Sequence, residues 1–488
     1  MARILDRSIA FRHIMVPIDL ADDHLTVAVA DPVDVFALDD LRARLTGRRL
    51  TIVVAPAVQI RHTLAVAWGE EESRVTVAQM ADMPDDGISA GESPESDEGA
   101  AALVRQLLRA ADLQRASDLH IEPQSDQVVV RIRVDGIMRE LMHLPTSSLS
   151  AITARVKIVS GLDVFERRLP QDGRTRLRIE GHARDIRVST LPTVHGEKIV
   201  MRLLPTQETV PSLDSLGLND EQAAMLHDEL QQSQGLILVT GPTGSGKSNT
   251  LYAALTSCVD GQRNVITVED PVEVEIDGIA QVAVSDTGIL TVDAALRAAL
   301  RQDPDILLVG EIRDPATGTL ALRASLTGHL VLSTLHTLDA PGAIVRLLDL
   351  GLPRYLVAAS LSLIVSQRLI RKNCPACAVP APPDPRLRTL LGITADQASR
   401  MVAGAGCHAC GGTGFLGRIG VFEFLPVTED FRTAVAAGND ADGLHRAAEA
   451  AGWQPVVTRA VELAITGVTT AAEVLRVVTV PEDTEAPT

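Results

Sequence analysis

Three different rhythms of hydrophobic and polar positions follow one another along the chain. LTVAVADP (25–32) and LTIVVAP (50–56) bracket the helically spaced VFALDDLRARLTG (35–47), which predicts a small βαβ-like unit over Ile18–Val54, closing near Leu64. The rhythm then stops. From Glu70 to Gly99 the chain turns to Asp, Glu, Ser, Gly and Pro (MPDDGISAGESPESDEG, 83–99), a composition that cannot bury enough apolar surface to pack. Leu103, Leu107, Leu108 and Leu113 then mark a helix over Ala100–Ala116, and strand-like runs follow at Val128–Val134, Thr175–Ile179 and Asp185–Ser189. These stretches predict an N-terminal domain at 1–69, an acidic flexible linker at 70–99 and an α/β domain at 100–206.

From 207 to 488 the pattern is that of a larger α/β domain. GLILVTG (235–241), VITVED (265–270), DILLVGE (305–311) and HLVLSTLH (329–336) read as buried strands, with helical spacing between them. Strands alternating with helices imply a mostly parallel sheet covered on both faces. Residues 372–417 carry two cysteine pairs and the Pro-rich AVPAPPDP (378–385), and read as an insertion before helical spacing resumes over Asp430–Val478.

Composition narrows the chemistry. Aromatic residues are 2% of the 488, too few for a base-stacking single-strand binder, and 63 acidic against 45 basic residues argue against a broad phosphate-tracking face. An anionic ligand must be held locally. The five cysteines suit a reducing compartment better than a disulfide framework. No secretory signal is read at the start, and the apolar stretch Tyr355–Val365 is too short for a bilayer, which takes about 20 residues. The expectation is a protein without a membrane span, able to dock on a membrane complex.

The local holder is Gly241-Pro242-Thr243-Gly244-Ser245-Gly246-Lys247-Ser248, which fits G-x-x-x-x-G-K-[ST] between an apolar strand and the helix NTLYAALTS (249–257). Its glycines permit a nest of backbone N–H groups at the positive end of a helix, Lys247 reaches the β- and γ-phosphates, and the Ser248 hydroxyl is placed for Mg²⁺. Hydrolysis also needs a carboxylate to align or deprotonate water. Glu311 emerges at the carboxyl end of a buried strand, where open α/β sheets hold ligands, and is the expected base. Glu269 and Asp270 end another strand; Asp270-Pro271 reads equally well as a supporting carboxylate or as a turn. His329 and His336 bracket the strand LVLSTL. His336, at its carboxyl end, is the better γ-phosphate sensor, and a lone His is more often structural.

Cys374-Pro-Ala-Cys377 and Cys407-His-Ala-Cys410 offer four thiolates, a set that suits structural Zn²⁺ and leaves no open position for water. Free thiols or a redox pair are the competing reading, His408 is an alternative ligand, and LRTLLGI (387–393) fills the space between the pairs. Cys258 reads as a buried helix residue without a role.

These residues resemble the secretion ATPases of bacterial type II secretion and type IV pilus assembly. The likeness runs through ASDLHIEP (116–123), RRLPQDGR (167–174), RVSTLPTVHGEK (187–198), GPTGSGKS (241–248), TVEDPVE (267–273), LRQDPDILLVGEIRD (300–314) and TGHLVLSTLHT (327–337). The tetracysteine insertion and GTGFLGRIGVFEFL (412–425) look like the secretion and pilus-assembly branches rather than the retraction branch. Residues 18–56 look like part of the N-terminal docking domain. The resemblance implies a RecA-like P-loop domain preceded by a PAS-like α/β domain, the two clamping ATP in a homo-hexameric ring that requires Mg²⁺. It implies that Glu269 and Asp270 lie in the Asp box, that Glu311 is the catalytic glutamate of an atypical Walker B, and that His329 and His336 lie in the His box. Arg187 and Arg202 match arginines that approach the phosphates from the preceding domain, with Arg297, Arg301 and Arg313 as weaker boundary candidates. Two departures stand out: Ser248-Asn249 where threonines are usual, and Leu338 where an Asn usually follows the His box. The implied activity is ATP hydrolysis driving type II secretion, with pilus extension as the alternative and a conjugation-type nucleic-acid motor as the alternative of another class. The implied place is the cytoplasm, peripheral at the inner membrane, beside platform and docking proteins.

Overall fold

The computed structural model describes residues 15–21, 24–29, 49–55, 97–179, 181–206, 210–285 and 290–478, together with Ala10 and Ile60. In the N-terminal part, β1 (Met15–Ala21) pairs antiparallel with β2 (His24–Val29), which pairs in parallel with β3 (Arg49–Val54), from His24 opposite Arg49 to Val29 opposite Val54. Parallel pairing of the two apolar runs is what a βαβ unit demands. The expected helix at 35–47, the unit's end at Leu64 and the linker as far as residue 96 lie outside the described residues.

The next lobe begins with α1 (Asp97–Leu113), three residues earlier than the leucine spacing predicts. It stops at Leu113 because the chain turns through Arg115 at φ +55°. β4 (Asp118–Pro123), β5 (Gln127–Val134), β6 (Ile137–Pro145), α2 (Leu149–Val159), β7 (Gln171–Ile179), β8 (His182–Thr193) and β9 (Gly196–Leu203) follow. The strands form an antiparallel sheet in the order β6-β5-β4-β9-β8-β7. Side chains alternate across it. Leu119, Ile132, Val188 and Met201 lie in a core with Leu103, Leu107 and Leu108 of α1 and Ile152 and Val156 of α2. The residues one step along each strand therefore point to the other face, which is polar.

The C-terminal lobe contains α3 (Asp220–Leu230), β10 (Gly235–Thr240), α4 (Lys247–Cys258), β11 (Val265–Glu269), β12 (Ala280–Ala283), α5 (Val292–Ala299), β13 (Ile306–Val309), α6 (Pro315–Leu326), β14 (Leu330–Leu335), α7 (Pro341–Asp349), α8 (Arg354–Ser360) and β15 (Leu361–Asn373). After the insertion come β18 (Phe415–Pro426), α11 (Glu429–Ala437), α12 (Ala441–Ala450), α13 (Val456–Ile465) and α14 (Ala471–Val477). The sheet order is β12-β11-β13-β14-β10-β15-β18, parallel as expected except where β18 runs back along β15. Leu236, Leu238, Leu307 and Val331 bury against α5, α6 and α7, whereas Ile237, Val239, Leu308 and Leu332 bury against α3 and α4. All six residues of β14 are buried, consistent with a strand covered on both faces. Tyr355–Val365 is not one apolar element, because helix gives way to strand at Leu361.

The insertion sits at the tip of the long β15–β18 hairpin. It holds β16 (Ala378–Pro380), α9 (Pro385–Leu390), α10 (Ala395–Ser399) and β17 (Val402–Gly404), with β16 and β17 paired antiparallel. Leu391, Ile393 and Met401 share a core with Ala460 and Leu463 of α13, so the insertion packs on the C-terminal helices. No helix among the described residues is long and apolar enough to cross a membrane.

Candidate functional site

β10 delivers the chain to the glycine-rich loop and α4 carries it away. Gly241 (φ +142°) lies so close to the neighbouring strand that a Cβ there would meet the Gln367 carbonyl oxygen at 2.5 Å, and Gly246 (φ +90°) caps α4 in the left-handed region. Lys247 turns back into the loop. Its Nζ donates to the carbonyls of Gly241 (2.8 Å) and Pro242 (3.2 Å) and lies 3.5 Å from His336 Nδ1. Burial pulls this ammonium down to about 8, against the pull of Glu311.

The loop opens on a cleft of about 890 Å³. Pro242, Thr243, Gly244, Ser245, Gly246, Lys247, Ser248 and Asn249 line it, as do Glu269, Asp270, Glu311, Arg313 and His336. Glu311 stands just beyond β13, in contact with Arg313, and its other oxygen is 3.5 Å from His336 Nε2. Burial and the adjacent Lys247 lower the His336 pKa, which favours a neutral ring that can accept at Nδ1 and donate at Nε2. Glu269 is buried and fully engaged, by Tyr252 Oη (2.5 Å), Thr267 Oγ1 (2.6 Å) and Gln281 Nε2 (3.2 Å), whereas Asp270 is exposed. Burial, with Glu269 alongside, raises the Tyr252 pKa, so its hydroxyl remains a donor.

The opposite wall belongs to the preceding lobe. Ser117, Asp118, Arg133, Asp135, Gly136 and Arg202 all line the same cleft. Arg202, from β9, thus lines the cleft together with the loop residues. Arg187 sits beside Arg202 in the β8–β9 ladder but does not line the cleft. His329 lies at the other end of β14, its Nδ1 3.0 Å from the Ala324 carbonyl. Arg297 pairs with Asp293 and Arg301 donates to the Arg297 carbonyl, both away from the cleft. Cys258 is buried at the end of α4. Leu338 is exposed, and its carbonyl accepts from Arg368 Nη2 at 2.7 Å.

Sequence reasoning missed Asp118, Arg133 and Asp135 in one lobe and Arg368, Arg418 and Arg476 in the other, all of which line the cleft. Asp135-Gly136 is a hairpin-turn signal, but nothing local says that this turn reaches the other lobe, where Asp135 accepts from the Gly417 N–H at 2.9 Å.

The four predicted metal ligands converge. Their sulfurs all lie within 4.8 Å of one another, with separations of 3.8 Å (Cys374–Cys407), 3.9 Å (Cys377–Cys410) and 3.8 Å (Cys407–Cys410). A tetrahedron built on ~2.3 Å Zn–S bonds has edges of about 3.8 Å, so the donor set fits zinc. Burial pushes Cys377 up to about 12. At Cys410 burial is outweighed by the N–H groups of Cys407 and Gly414, which bring it down to about 6.

Comparison with known proteins agrees with this arrangement. The family described as Type II/IV secretion system protein matches residues 94–476, and the MshEN domain matches residues 1–74. The type IV pilus assembly ATPase PilB of Thermus thermophilus is 41% identical over 97% of this chain and 54% of its own length, so the chain spans about half of that relative. The type II secretion system protein E of Pectobacterium carotovorum is 39% identical over 89% of both chains. The ATPase DotB of Legionella pneumophila superposes with a TM-score of 0.57 over 80% of this chain and 97% of its own, at 21% identity, a likeness of fold.

Proposed function

The chain belongs to the type II/IV secretion system protein family, and from that premise we propose that it is a cytoplasmic ATPase whose hydrolysis of ATP drives pseudopilus assembly in type II protein secretion. The observation that carries the reading is a single cleft with a P-loop and Glu311 on one wall and arginines from a separate lobe on the other. In this reading the N–H groups of residues 243–246 cradle the phosphates, Lys247 neutralises the β- and γ-oxygens, and Asn249 adds a polar contact in the first turn of α4. Bound Mg²⁺ would supply Lewis-acid charge at the β- and γ-oxygens, held by the Ser248 hydroxyl. Glu311 takes a proton from the attacking water, and His336 and Arg313 orient its carboxylate. Glu269 holds the end of β11 in place, leaving Asp270 the free carboxylate of the pair. Arg202 meets charge on the γ-phosphate, and Arg187 joins it as the lobes (100–206 and 207–488) close.

Zinc, held by Cys374, Cys377, Cys407 and Cys410, would close the insertion structurally. A homo-hexameric ring at the inner membrane, bound to platform and docking proteins, completes the proposal.

Phosphate release tests the chemistry. Lys247→Ala abolishes turnover, and Glu311→Gln binds ATP with turnover reduced about 10²–10⁴-fold, the size of a general-base contribution; normal turnover in Glu311→Gln would overturn the base assignment. Pilus extension is a second reading, favoured by the pilus assembly ATPases of Thermus thermophilus and Myxococcus xanthus, each aligned over 97% of this chain. A deletion strain that stops releasing exoproteins but keeps its pili supports secretion, and the converse supports pili. Turnover stimulated by DNA at physiological salt would point to a nucleic-acid motor instead.

A further inference from the structure

The polar face of the N-terminal lobe's sheet carries one continuous rung. Strand register places Arg133 opposite Asp118, Asp118 opposite Arg202, Arg202 opposite Arg187, and Arg187 opposite Arg174. One carboxylate thus stands among four guanidinium groups. Its side chain is 8% exposed, against 60% for Arg202 and 39% for Arg133. Asp118 Oδ1 accepts from Arg202 Nε at 2.9 Å; Oδ2 accepts from Ser117 Oγ at 2.8 Å and lies 3.8 Å from Arg133 Nε. Arg133 is steadied further by Nη1 donating to the Gly136 carbonyl at 2.9 Å.

The division of labour within each guanidinium matters. Asp118 engages the inner edge of Arg202 at Nε and leaves both Nη groups without another protein partner among the described residues, at the wall that faces the P-loop. A guanidinium fork with free outer N–H groups is matched to phosphate oxygens. A buried ion pair is in itself weak evidence of a stabilising role. Arg187 and Arg174, which have no such carboxylate beside them in the rung, lie outside the cleft.

We propose that Asp118 is a positioning residue that fixes Arg202 and Arg133 as a pair of phosphate-facing cations, and that Arg133 is a nucleotide contact in its own right. The proposal deepens the ATPase reading and rests on it.

The sign of one substitution separates positioning from simple charge. Asp118→Asn removes a negative charge from the wall of an anion site, so Coulomb attraction alone would tighten nucleotide binding. Loss of positioning weakens it. In the full-length protein, with Mg²⁺ and a non-hydrolysable ATP analogue, Asp118→Asn is expected to raise Kd about tenfold, the scale of one charge-assisted hydrogen bond. KM for ATP should rise in parallel, and kcat should fall as well, because Arg202 is then misplaced for the charge it meets on the γ-phosphate. Unchanged or tighter binding would overturn the proposal.

Arg133→Gln should weaken the analogue similarly, while Arg174→Gln, at the far end of the rung, should leave Kd unchanged; equal losses in the two would mean a diffuse charge effect and also overturn it. In an Arg133→Gln, Arg202→Gln background, Asp118→Asn should have no further effect on Kd. If Asp118→Asn melts before it can be assayed, Arg133→Gln decides alone, because an unchanged Kd there defeats the pairing. Wild-type protein that fails to bind the analogue, or binds it independently of Lys247, would defeat the ATPase reading itself.

Discussion

Burial in the phosphate loop lowers the Lys247 pKa to about 8, against the pull of Glu311, and this has a consequence for pH. The ammonium form grips phosphate, and a bound triphosphate stabilises that form, so ATP binding takes up protons once the free lysine begins to titrate. The sign follows from linkage: affinity is flat below the free pKa and falls as pH rises through about 8. The slope approaches about tenfold per pH unit while the bound form remains charged. Calorimetry at pH 8 in buffers of different ionisation enthalpy should read an uptake approaching half a proton per nucleotide. At this scale the P-loop was legible because its letters are contiguous and its chemistry is local. Asp118, Arg133 and Asp135 were not, because strand register and lobe contact bring them to the cleft from far along the chain.

Among the elements, the β15–β18 hairpin does two jobs. At the middle of β15 Gln367 lies under the phosphate loop, its carbonyl against Gly241 and its Oε1 accepting from Thr250 Oγ1 at 2.7 Å; at the strand's end Cys374 follows β15 directly. The metal set closes the tip, so Cys410→Ser should reduce bound zinc from one ion per chain to none. It should also make residues 378–404 susceptible to proteolysis while the parallel strands keep their protection from hydrogen exchange. Full zinc retention in that variant would count against the four-sulfur site. The buried strands β10, β11, β13 and β14 could be read from the sequence because they are almost continuously apolar. β6 and β9 were missed for the opposite reason, since one face of their sheet carries Arg, Lys and Glu and breaks the apolar run. β15 was obscured because α8 passes into it without a polar break.

For the whole molecule, the cleft is built from two independently cored lobes. They touch where Asp135 accepts from Gly417 and lies 3.7 Å from Arg418 Nε, beside the metal-bearing end of the hairpin. If six copies close into a ring, each lobe is steadied by a neighbour as well as by its own chain. Specific ATPase activity should then rise with protein concentration in parallel with the appearance of hexamer in sedimentation. Activity independent of concentration across the assembly range would argue for a self-sufficient single chain.

In the proposed reading a fuel molecule is gripped between two folded bodies, so each change in what is gripped would alter how far apart they rest. The arginine-bearing sheet would then act as a jaw, and spending the fuel without moving it would require one side to let go first.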